Sequence, residues 1–346
     1  MPSAERPAWR MPATVASMVA AVRAATRTWA PASASAVAIA RPMPELPPVT
    51  SAMRPSRPKS CCSDIRSGYR GPYAGPVRDD LLPMLACPVC AEPLGRVDGG
   101  QVGCPNGHRF DEAKQGHLTL LPAKRRALTA DTPEMVNARL RFLGRGHYAP
   151  VERALAAIVA DATAPGIVLD VGSGPGTYLA HALRAADGRL GVALDLSAVA
   201  IRRAARAHER AGAVVGDVTE RLPVVDGAAA VLLDVFAPRN QTEYARVLHV
   251  DGVLAVVTPR TGHLAELAEA TISVDPEKER RLHDSLTPSF ALRSSEDLTW
   301  SMELSAEDVH DVVHMGPSHH HVAADAVFEP ATVTAAVTVS TWTPTR

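Results

Sequence analysis

Two close pairs of metal-binding side chains constrain this chain more than any other feature of its sequence. Cys-Pro-Val-Cys at residues 87–90 is followed by Cys-Pro-Asn-Gly-His at residues 104–108. Two such knuckles can face each other and bring three thiolates and one imidazole to a tetrahedral zinc ion. Four protein ligands leave no open coordination position, so we expect a structural zinc. The predicted ligands are Cys87, Cys90, Cys104 and His108, with His117 as an alternative for the fourth position.

A glycine-rich turn at the end of an apolar run is the second informative feature. The segment Val-Leu-Asp-Val-Gly-Ser-Gly-Pro-Gly at residues 168–176 leads from a buried strand into a helix. Glycines let the backbone turn sharply there and approach a ligand without clashes from Cβ atoms. The next strand ends at Asp195, whose carboxylate is placed to accept hydrogen bonds from ribose hydroxyls. Taken alone, this pattern also fits a dinucleotide site.

Two further acids favour a different nucleotide cofactor. Asp170 lies two residues before the first glycine, and Asp217 follows the next strand, where the edge of an adenine can be bound. This set resembles class I S-adenosylmethionine-dependent methyltransferases, in which the glycine loop lies beneath the methionine part of the cofactor. A plain loop acid stays open as the alternative for Asp217. The predicted cofactor-binding residues are Asp170, Gly172, Gly174, Gly176, Asp195 and Asp217.

Helical and strand patterns alternate over the second half of the chain. This alternation predicts an α/β fold with a mostly parallel sheet covered by helices. The resemblance to class I methyltransferases implies a Rossmann-like sheet of seven strands, preceded by a small zinc-binding domain. The predicted helices cover residues 151–162, 177–186 and 197–211, and the predicted strands cover residues 166–171, 190–194, 213–216, 229–235 and 252–257.

Composition divides the chain into four parts. Residues 1–80 are rich in Ala, Pro, Ser and Arg, so we expect disorder or an upstream extension of the gene model, and we favour the extension. The same composition also suits an organellar transit peptide. We assign residues 81–122 to a zinc-binding RNA-recognition module, residues 123–150 to a basic helical linker and residues 151–346 to the methyltransferase domain.

Charge and hydropathy exclude two classes of protein. A formal net charge of −1 over 346 residues excludes a globally polybasic binder, and the lack of a long apolar run excludes a membrane-spanning helix. Few cysteines, three of them with metal-ligand spacing, indicate a reducing, cytoplasmic setting. Local basic residues are candidates for contacts with phosphate groups. These are Lys114, Lys124, Arg125, Arg126, Arg139, Arg141, Arg145 and Arg260.

Several segments together resemble one family, the bacterial 23S ribosomal RNA (guanine-N1)-methyltransferases. After the knuckles, the resemblance runs through Gly-His-Leu-Thr-Leu-Leu-Pro at 116–122, Gly-His-Tyr at 146–148 and the glycine turn. It implies methyl transfer from S-adenosylmethionine to N1 of a guanine in a domain II hairpin of 23S rRNA, with no membrane partner. A homodimer is left open. Met-Gly-Pro-Ser at 315–318 favours the branch in which methylation confers resistance to tylosin.

The implied reaction needs a group that accepts the proton of guanine N1 and a donor that stabilises charge on O6. Asp-Val-Phe-Ala-Pro at 234–238 departs from the motif that exocyclic-amine methyltransferases carry at this strand end. Phe236 is a candidate for stacking on an extruded base, with core packing as the equal alternative. The candidate proton acceptors are Asp234, His263 and His147, and the sequence does not choose among them.

Two other functions stay open at this point. One is a small-molecule methyltransferase that has gained a zinc module, which a compact pocket without a basic rim would favour. The other is a non-catalytic zinc- and RNA-binding protein with a degenerate cofactor site. The intact turn at residues 170–176 and Asp195 count against the second of these.

Overall fold

The apolar run before the glycine turn forms a central strand, because all five residues of Ile167–Val171 are buried. A computed structural model describes residues 75–121, 130–267, 271, 278–316, 322 and 326–345. The strands in these ranges are β1 (Gly95–Arg96), β2 (Val102–Gly103), β3 (Arg109–Phe110), β4 (Leu118–Thr119), β5 (Ile167–Val171), β6 (Gly191–Asp195), β7 (Ala211–Val215), β8 (Ala229–Val235), β9 (Leu248–Pro259), β10 (Phe290–Leu304) and β11 (Ala331–Pro344). The helices are α1 (Pro133–Gly144), α2 (Ala149–Asp161), α3 (Thr177–Ala185), α4 (Ala198–Ala204), α5 (Gln241–Val247), α6 (Lys278–Leu286) and α7 (Ala306–His314).

The main sheet has the strand order β10-β11-β9-β8-β5-β6-β7-β4. Strands from β9 to β4 run parallel, and β11 is antiparallel to both of its neighbours. This confirms the class I methyltransferase fold. The predicted number of seven strands is wrong, because the sheet has eight. The extra strand, β4, follows the zinc knuckles and pairs in parallel with β7, with Leu118 opposite Val214.

The helix predicted over residues 197–211 is too long, since α4 ends at Ala204. The guanidinium of Arg210 donates hydrogen bonds to the carbonyl oxygens of Ala186 and Arg189 at 2.6 and 3.0 Å. The Gly191 amide in turn donates to the carbonyl oxygen of Arg210 at 2.9 Å. These bonds align the chain with β6 from residue 210 onward. Strand β7 therefore begins at Ala211, before the predicted start at residue 213, and α4 ends before the predicted residue 211.

Two long strands at one end of the sheet, β10 and β11, are absent from the sequence prediction. Residues 291–297 of β10 are exposed, because this strand forms the edge of the sheet and pairs only with β11 among the described residues. A strand in contact with solvent on several sides has no apolar alternation to reveal it. In β11, the repeated Val and Thr residues are a readable strand signal that the prediction missed.

The zinc module and the sheet share one hydrophobic core. The Ala86 amide donates to the carbonyl oxygen of Pro223, and the Val225 amide donates to that of Met84, both at 3.0 Å. One apolar cluster contains the ligand cysteines together with side chains of β5, β6 and β8. Folded structure begins before residue 81, since Val77 is buried in this cluster. The predicted boundary at residue 122 lies outside the described residues.

None of the helices in the described part of the chain combines the length and the apolar character that a membrane crossing needs.

Candidate functional site

The predicted zinc ligands meet in one cluster. The three sulfur atoms and the His108 ring nitrogen all lie within 4.8 Å of one another. Cys104 Sγ is 3.2 Å from His108 Nδ1, and Cys90 Sγ is 3.6 Å from Cys104 Sγ. A tetrahedral zinc ion with bonds of about 2.0–2.3 Å separates its ligand atoms by about 3.5–3.8 Å. The donor set therefore fits zinc, and His117, the alternative ligand, is not part of this cluster.

Short turns prepare the sulfur atoms for the metal. The Val89 amide donates to Cys87 Sγ at 3.4 Å, as expected for a knuckle. A hydrogen bond from the Glu92 backbone lowers the pKa of the Cys90 thiol to about 6, whereas burial raises the pKa of Cys87 to about 11. Zinc binds thiolates, so metal loading displaces the proton that burial favours on Cys87. Four protein ligands close the site, which makes its role structural.

The glycine turn between β5 and α3 brings its backbone unusually close to neighbouring residues. Gly172, Gly174 and Gly176 have φ angles of 65°, 54° and 78°, in the left-handed region that favours glycine. A Cβ atom at Gly172 would lie 2.6 Å from Ala237 Cβ, and one at Gly174 would lie 2.8 Å from Arg139 Nη1. The turn is therefore a cradle that side chains larger than hydrogen would fill.

Two of the predicted cofactor acids lie at the carboxyl ends of adjacent strands. Asp195 accepts hydrogen bonds from the Gly174 amide at 2.8 Å and from the Ser197 amide at 2.7 Å. Asp170 is buried, and its Oδ2 atom has no hydrogen-bond partner among the described residues. Burial raises the pKa of Asp170 well above its usual value, and the charge of Asp195 acts in the same direction. A cation bound beside this pair would relieve both effects.

Asp217 lies beside this cradle but also serves its own turn. The Gly216 amide donates to the carbonyl oxygen of Asp195 at 3.0 Å, which brings Asp217 to the same edge of the sheet. Asp217 Oδ1 accepts hydrogen bonds from the amide and the hydroxyl of Thr219, at 2.9 and 2.6 Å. The capping role fits the loop-acid alternative, and contact with adenine stays a prediction.

An aromatic cluster stands next to the cradle, at the end of β8. Phe236 is 40% exposed and has a φ angle of 56°, which is rare for a residue with a bulky side chain. Its ring centroid lies 6.1 Å from those of Tyr148 and His263. The next residue, Ala237, is the one that approaches Gly172. The residue with the exposed ring is therefore the direct neighbour, in sequence, of the residue that contacts the glycine turn.

Comparisons with known proteins identify the family. Residues 85–127 match the family model described as RlmA, N-terminal, which is a zinc ribbon. A 23S rRNA (guanine(748)-N(1))-methyltransferase of Streptomyces fradiae is 45% identical over 256 residues, which cover 72% of this chain and 90% of that protein. The chain belongs to the 23S rRNA (guanine-N1)-methyltransferase family.

Two other relatives agree with this assignment. A protein of Micromonospora griseorubida that is also named for 23S rRNA guanine-N1 methylation is 43% identical over 292 residues, covering 77% of this chain and 99% of that protein. The YxjB protein of Bacillus subtilis, with the same named activity, is 31% identical over 206 residues, covering 56% of this chain and 71% of its own.

The cradle fits S-adenosylmethionine, the cofactor of class I methyltransferases. The close backbone approach at Gly172 leaves no room for a side chain, and the buried carboxyl of Asp170 suits a neighbouring positive charge. The cofactor carries positive charge on its sulfonium and ammonium groups. The residues predicted to hold it are those of the glycine turn, with Asp195 at the end of β6 for the ribose.

Two of the candidate proton acceptors have close polar partners. Asp234 is fully buried, and its Oδ2 atom accepts a hydrogen bond from the Tyr244 hydroxyl at 2.9 Å. His147 Nε2 lies 3.0 Å from Asp308 Oδ1, near the amino-terminal end of α7. The third candidate, His263, has its ring centroid 6.1 Å from that of Phe236.

The hydrogen bonds of His263 fix its protonation pattern. The Ala336 amide donates to His263 Nδ1 at 3.1 Å, so this nitrogen carries a lone pair rather than a proton. The neutral ring therefore carries its proton on Nε2, which lies 3.2 Å from the Tyr148 hydroxyl. In this tautomer Nε2 is a hydrogen-bond donor. The role of His263 as proton acceptor stays a prediction.

Two of the arginines expected to contact phosphates, Arg141 in α1 and Arg145 directly after it, form ion pairs with α7. Arg141 Nη2 lies 2.5 Å from Asp311 Oδ1, and the Asp311 side chain is fully buried. Arg145 Nη1 lies 3.0 Å from Asp308 Oδ1 and 3.2 Å from Asp311 Oδ2. Both side chains thus join α1 to α7 through ion pairs. Buried carboxylates need such partners, so the pairing is structural.

The other basic residues differ in their surroundings. Arg260 Nη2 lies 2.9 Å from Asp297 Oδ2 on the edge strand β10. Lys114 is exposed on the zinc module and stays a predicted phosphate contact. Residues 124–126 lie outside the described residues. Arg139 differs from all of them, because it lies against the glycine turn.

Sequence reasoning missed two aromatic residues that shape the site. Tyr148, at the start of α2, is buried beside Phe236 and Trp300, with ring centroids at 6.1 and 5.7 Å. The indole nitrogen of Trp300 donates to the carbonyl oxygen of His147 at 2.9 Å. The Gly-His-Tyr segment was part of the family resemblance, but its contact with a distant strand is visible only in the fold.

Proposed function

We propose that this protein transfers a methyl group from S-adenosylmethionine to N1 of a guanine in 23S rRNA. The similarity to the Streptomyces fradiae enzyme, 45% identity over 90% of its length, carries this proposal. The site supports it, because a glycine cradle lies next to an exposed aromatic ring. The cofactor, when bound, supplies an electrophilic methyl group on a sulfonium ion.

Phe236 receives the base. A base must leave its stack before an enzyme can reach its ring atoms, and an aromatic side chain replaces the lost stacking. The φ angle of 56° costs backbone energy, and the Phe236 amide is fixed by donation to the Val257 carbonyl oxygen at 3.1 Å. This strained conformation keeps the ring at the surface rather than in the core, beside the turn that holds the cofactor.

His263 and Tyr148 act behind that ring. The N1 proton passes to water or to one of the candidate acceptors Asp234 and His147, and its loss leaves negative charge on O6, which a nearby donor stabilises. The Nε2–H group of His263 donates to the Tyr148 hydroxyl, so the hydroxyl proton of Tyr148 is the donor in this place. The described residues therefore contribute mainly positioning and charge stabilisation, which suits an in-line displacement.

Among the finer assignments, the target position follows the name of the Streptomyces fradiae relative, and the hairpin and the resistance follow the family resemblance of the sequence. The target is the guanine equivalent to position 748, in a hairpin of domain II, and methylation contributes to tylosin resistance. The zinc module, with exposed Val89 and Lys114, binds the RNA hairpin in the cytoplasm. Membership of the family favours RNA over a small-molecule substrate, and the intact cradle counts against a non-catalytic protein. A homodimer stays a prediction.

Primer extension tests the proposed reaction. Purified protein and cofactor are incubated with a 23S rRNA transcript, and reverse transcriptase should stop at the modified base, because N1 lies on its base-pairing edge. A transcript with adenine in place of the target guanine is the matched control and should give no stop. Full read-through on the guanine transcript would reject the function, and a stop at another guanine would correct the position.

Resistance needs a separate test. Expression of the protein in a tylosin-sensitive host should raise the inhibitory concentration of tylosin, while the Gly172→Val variant should not. Complete rRNA methylation with unchanged sensitivity would remove the resistance role and leave the enzymatic one.

A further inference from the structure

Arg139 reaches from helix α1 to the glycine turn. Its Nη1 atom lies 2.8 Å from the position that a Cβ atom of Gly174 would occupy. The side chain is largely buried, with 23% of its surface exposed. A positively charged group therefore lies directly on the part of the turn expected beneath the methionine portion of the cofactor.

The surroundings of this arginine are rich in carboxylates. Asp170 and Asp195 end the neighbouring strands, and Asp131 lies 2.6 Å from Arg139 Nη1. Burial raises the pKa of Asp195, with Asp131 adding to the rise and Arg139 opposing it, so these charges act on one small region. The acids suit the sulfonium and ammonium groups of the cofactor. The cofactor also has one carboxylate, and that group needs a cation among these acids.

We propose that Arg139 binds the carboxylate of the methionine part of S-adenosylmethionine. This inference rests on the proposed function, and it adds a binding residue from α1, outside the glycine turn. A guanidinium has five N–H donors in a planar fork and binds carboxylates through two of them. The ion pair between Asp131 and Arg139 shows that this guanidinium accommodates a carboxylate, as it would that of the cofactor.

The arginine is fixed in place by its other contacts. Arg139 Nη2 donates to the carbonyl oxygen of Met315 at 2.5 Å, at the end of α7. The Ser197 hydroxyl donates to the Asp131 carbonyl oxygen at 3.0 Å, which anchors Asp131 to the start of α4. Cofactor binding through Arg139 would thus connect α1, the glycine turn and the end of α7, the elements around the aromatic cluster.

Two adenosine thioethers isolate the carboxylate contact. S-adenosylhomocysteine carries the amino-acid part, whereas 5′-methylthioadenosine lacks it, and neither carries a sulfonium charge. Calorimetric titration of the Arg139→Met variant should show a tenfold to hundredfold weaker affinity for S-adenosylhomocysteine, about the effect of losing a charge-assisted hydrogen bond. The affinity for 5′-methylthioadenosine should change by less than about twofold, which also shows that the variant is folded.

The controls separate this inference from the proposed function. Arg202→Met removes the same charge from an exposed position on α4 and should change neither affinity. Equal weakening of both ligands, or no weakening of either, would overturn the role of Arg139. If Arg139→Met does not fold, Arg139→Gln decides by the same criterion. Wild-type protein that binds neither thioether would instead reject the proposed cofactor, and with it the proposed function.

Discussion

The two binding sites of this protein are built in opposite ways. The zinc site consists of side-chain atoms presented by short turns, with strands of only two residues around it. The cofactor cradle consists mainly of backbone, at the ends of long buried strands, and its shape comes from positions where no side chain fits. The first site depends on which residues are present, and the second depends on how closely separate elements approach.

The difference does not make the two regions independent. Apolar side chains of the zinc module continue into the core beneath β5 and β6, and β4 extends the main sheet. A module of this size has little core of its own, so the metal and the sheet both stabilise it. Damage to the zinc site is therefore expected to reach the sheet.

The largest expected effect tests that coupling. Cys104→Ser should abolish zinc binding and lower the free energy of unfolding by more than about 4 kcal/mol, because Cys104 is a buried ligand in the shared core. Metal analysis gives the zinc content. Tryptophan fluorescence during urea unfolding reports on the sheet, since β10 and β11 carry Trp300 and Trp342.

A control at the same knuckle separates metal loss from local disturbance. Val89 is 67% exposed at the tip, so Val89→Ser should keep the zinc and leave the unfolding transition unchanged. An unchanged tryptophan transition in zinc-free Cys104→Ser would show that the two regions unfold separately, against the shared core.

The next effect concerns the glycine turn, where two similar glycines should differ. Gly172→Ala should lower the free energy of unfolding by about 2–4 kcal/mol and abolish S-adenosylhomocysteine binding, because its Cβ would meet Ala237 Cβ at 2.6 Å. Gly174→Ala should lower the free energy of unfolding by about 1–2 kcal/mol, the cost of the left-handed backbone, because its closest neighbour is the guanidinium end of the long Arg139 side chain, which can yield by a few tenths of an ångström without a backbone shift.

A larger side chain at the second position should act on binding rather than on folding. Gly174→Val is expected to abolish cofactor binding while the fold stays largely intact. Urea unfolding and calorimetric titration measure the two properties separately. Equal destabilisation by the two alanine variants, or normal cofactor binding by Gly174→Val, would contradict this picture of the turn.

A smaller effect should appear at the exposed ring of Phe236. Phe236→Leu should lower the methylation rate about tenfold to hundredfold, since base–aromatic stacking contributes about 1–3 kcal/mol. The affinity for S-adenosylhomocysteine should not change. Single-turnover assays with the rRNA transcript measure the rate. Phe236→Tyr keeps a stacking ring and should stay close to wild type, and a rate unaffected by the loss of the ring would assign Phe236 to packing alone.

The smallest effect lies in the helix layer that supports the turn. Burial between α2 and α3 raises the pKa of Glu152 to about 7, although Arg184 and Arg153 oppose the rise. The folded protein therefore keeps a proton that the unfolded chain releases above pH about 4.5. The contribution of Glu152 to stability should therefore fall as pH rises from about 4.5 to about 7.

Removal of this carboxyl should remove the part of the pH dependence of stability that Glu152 causes. Glu152→Gln should equal wild type near pH 5 and exceed it by about 1–2 kcal/mol near pH 8, a value reduced for partial solvent screening. Urea unfolding at both pH values is the measurement. Glu209→Gln, at an exposed position, should show no such gain. A variant less stable than wild type at pH 8 would mean that the ionised carboxylate has a favourable partner.

Much of the fold was predictable because its signals are local. The strand predicted over residues 229–235 coincides with β8, and the run at 166–171 differs from β5 by one residue. These strands are buried on both faces, so they are continuous apolar runs bounded by turns. The edge strand β10 was not predicted, because exposed polar residues on an edge resemble a loop.

Some parts of the candidate site were predictable from the sequence and others were not. Residue types and spacing alone identified the zinc ligands, since all of them lie on two short turns. The glycine turn and Asp195 were also predictable, because they follow consecutive strands of a parallel sheet. The partners of Arg141, Arg145 and His263 were not, because a charge or an imidazole in a sequence does not reveal its partner.

The sequence by itself determined the metal, the strand-to-helix turn and the family. Only the tertiary structure decided that the zinc module shares the core of the sheet, that Arg141 meets Asp311 and that Arg139 lies on Gly174. The physical reason is the separation along the sequence between the residues that interact. Spacing fixes which atoms can meet within one turn or along one strand, whereas contacts between distant segments depend on how whole helices and sheets pack against each other.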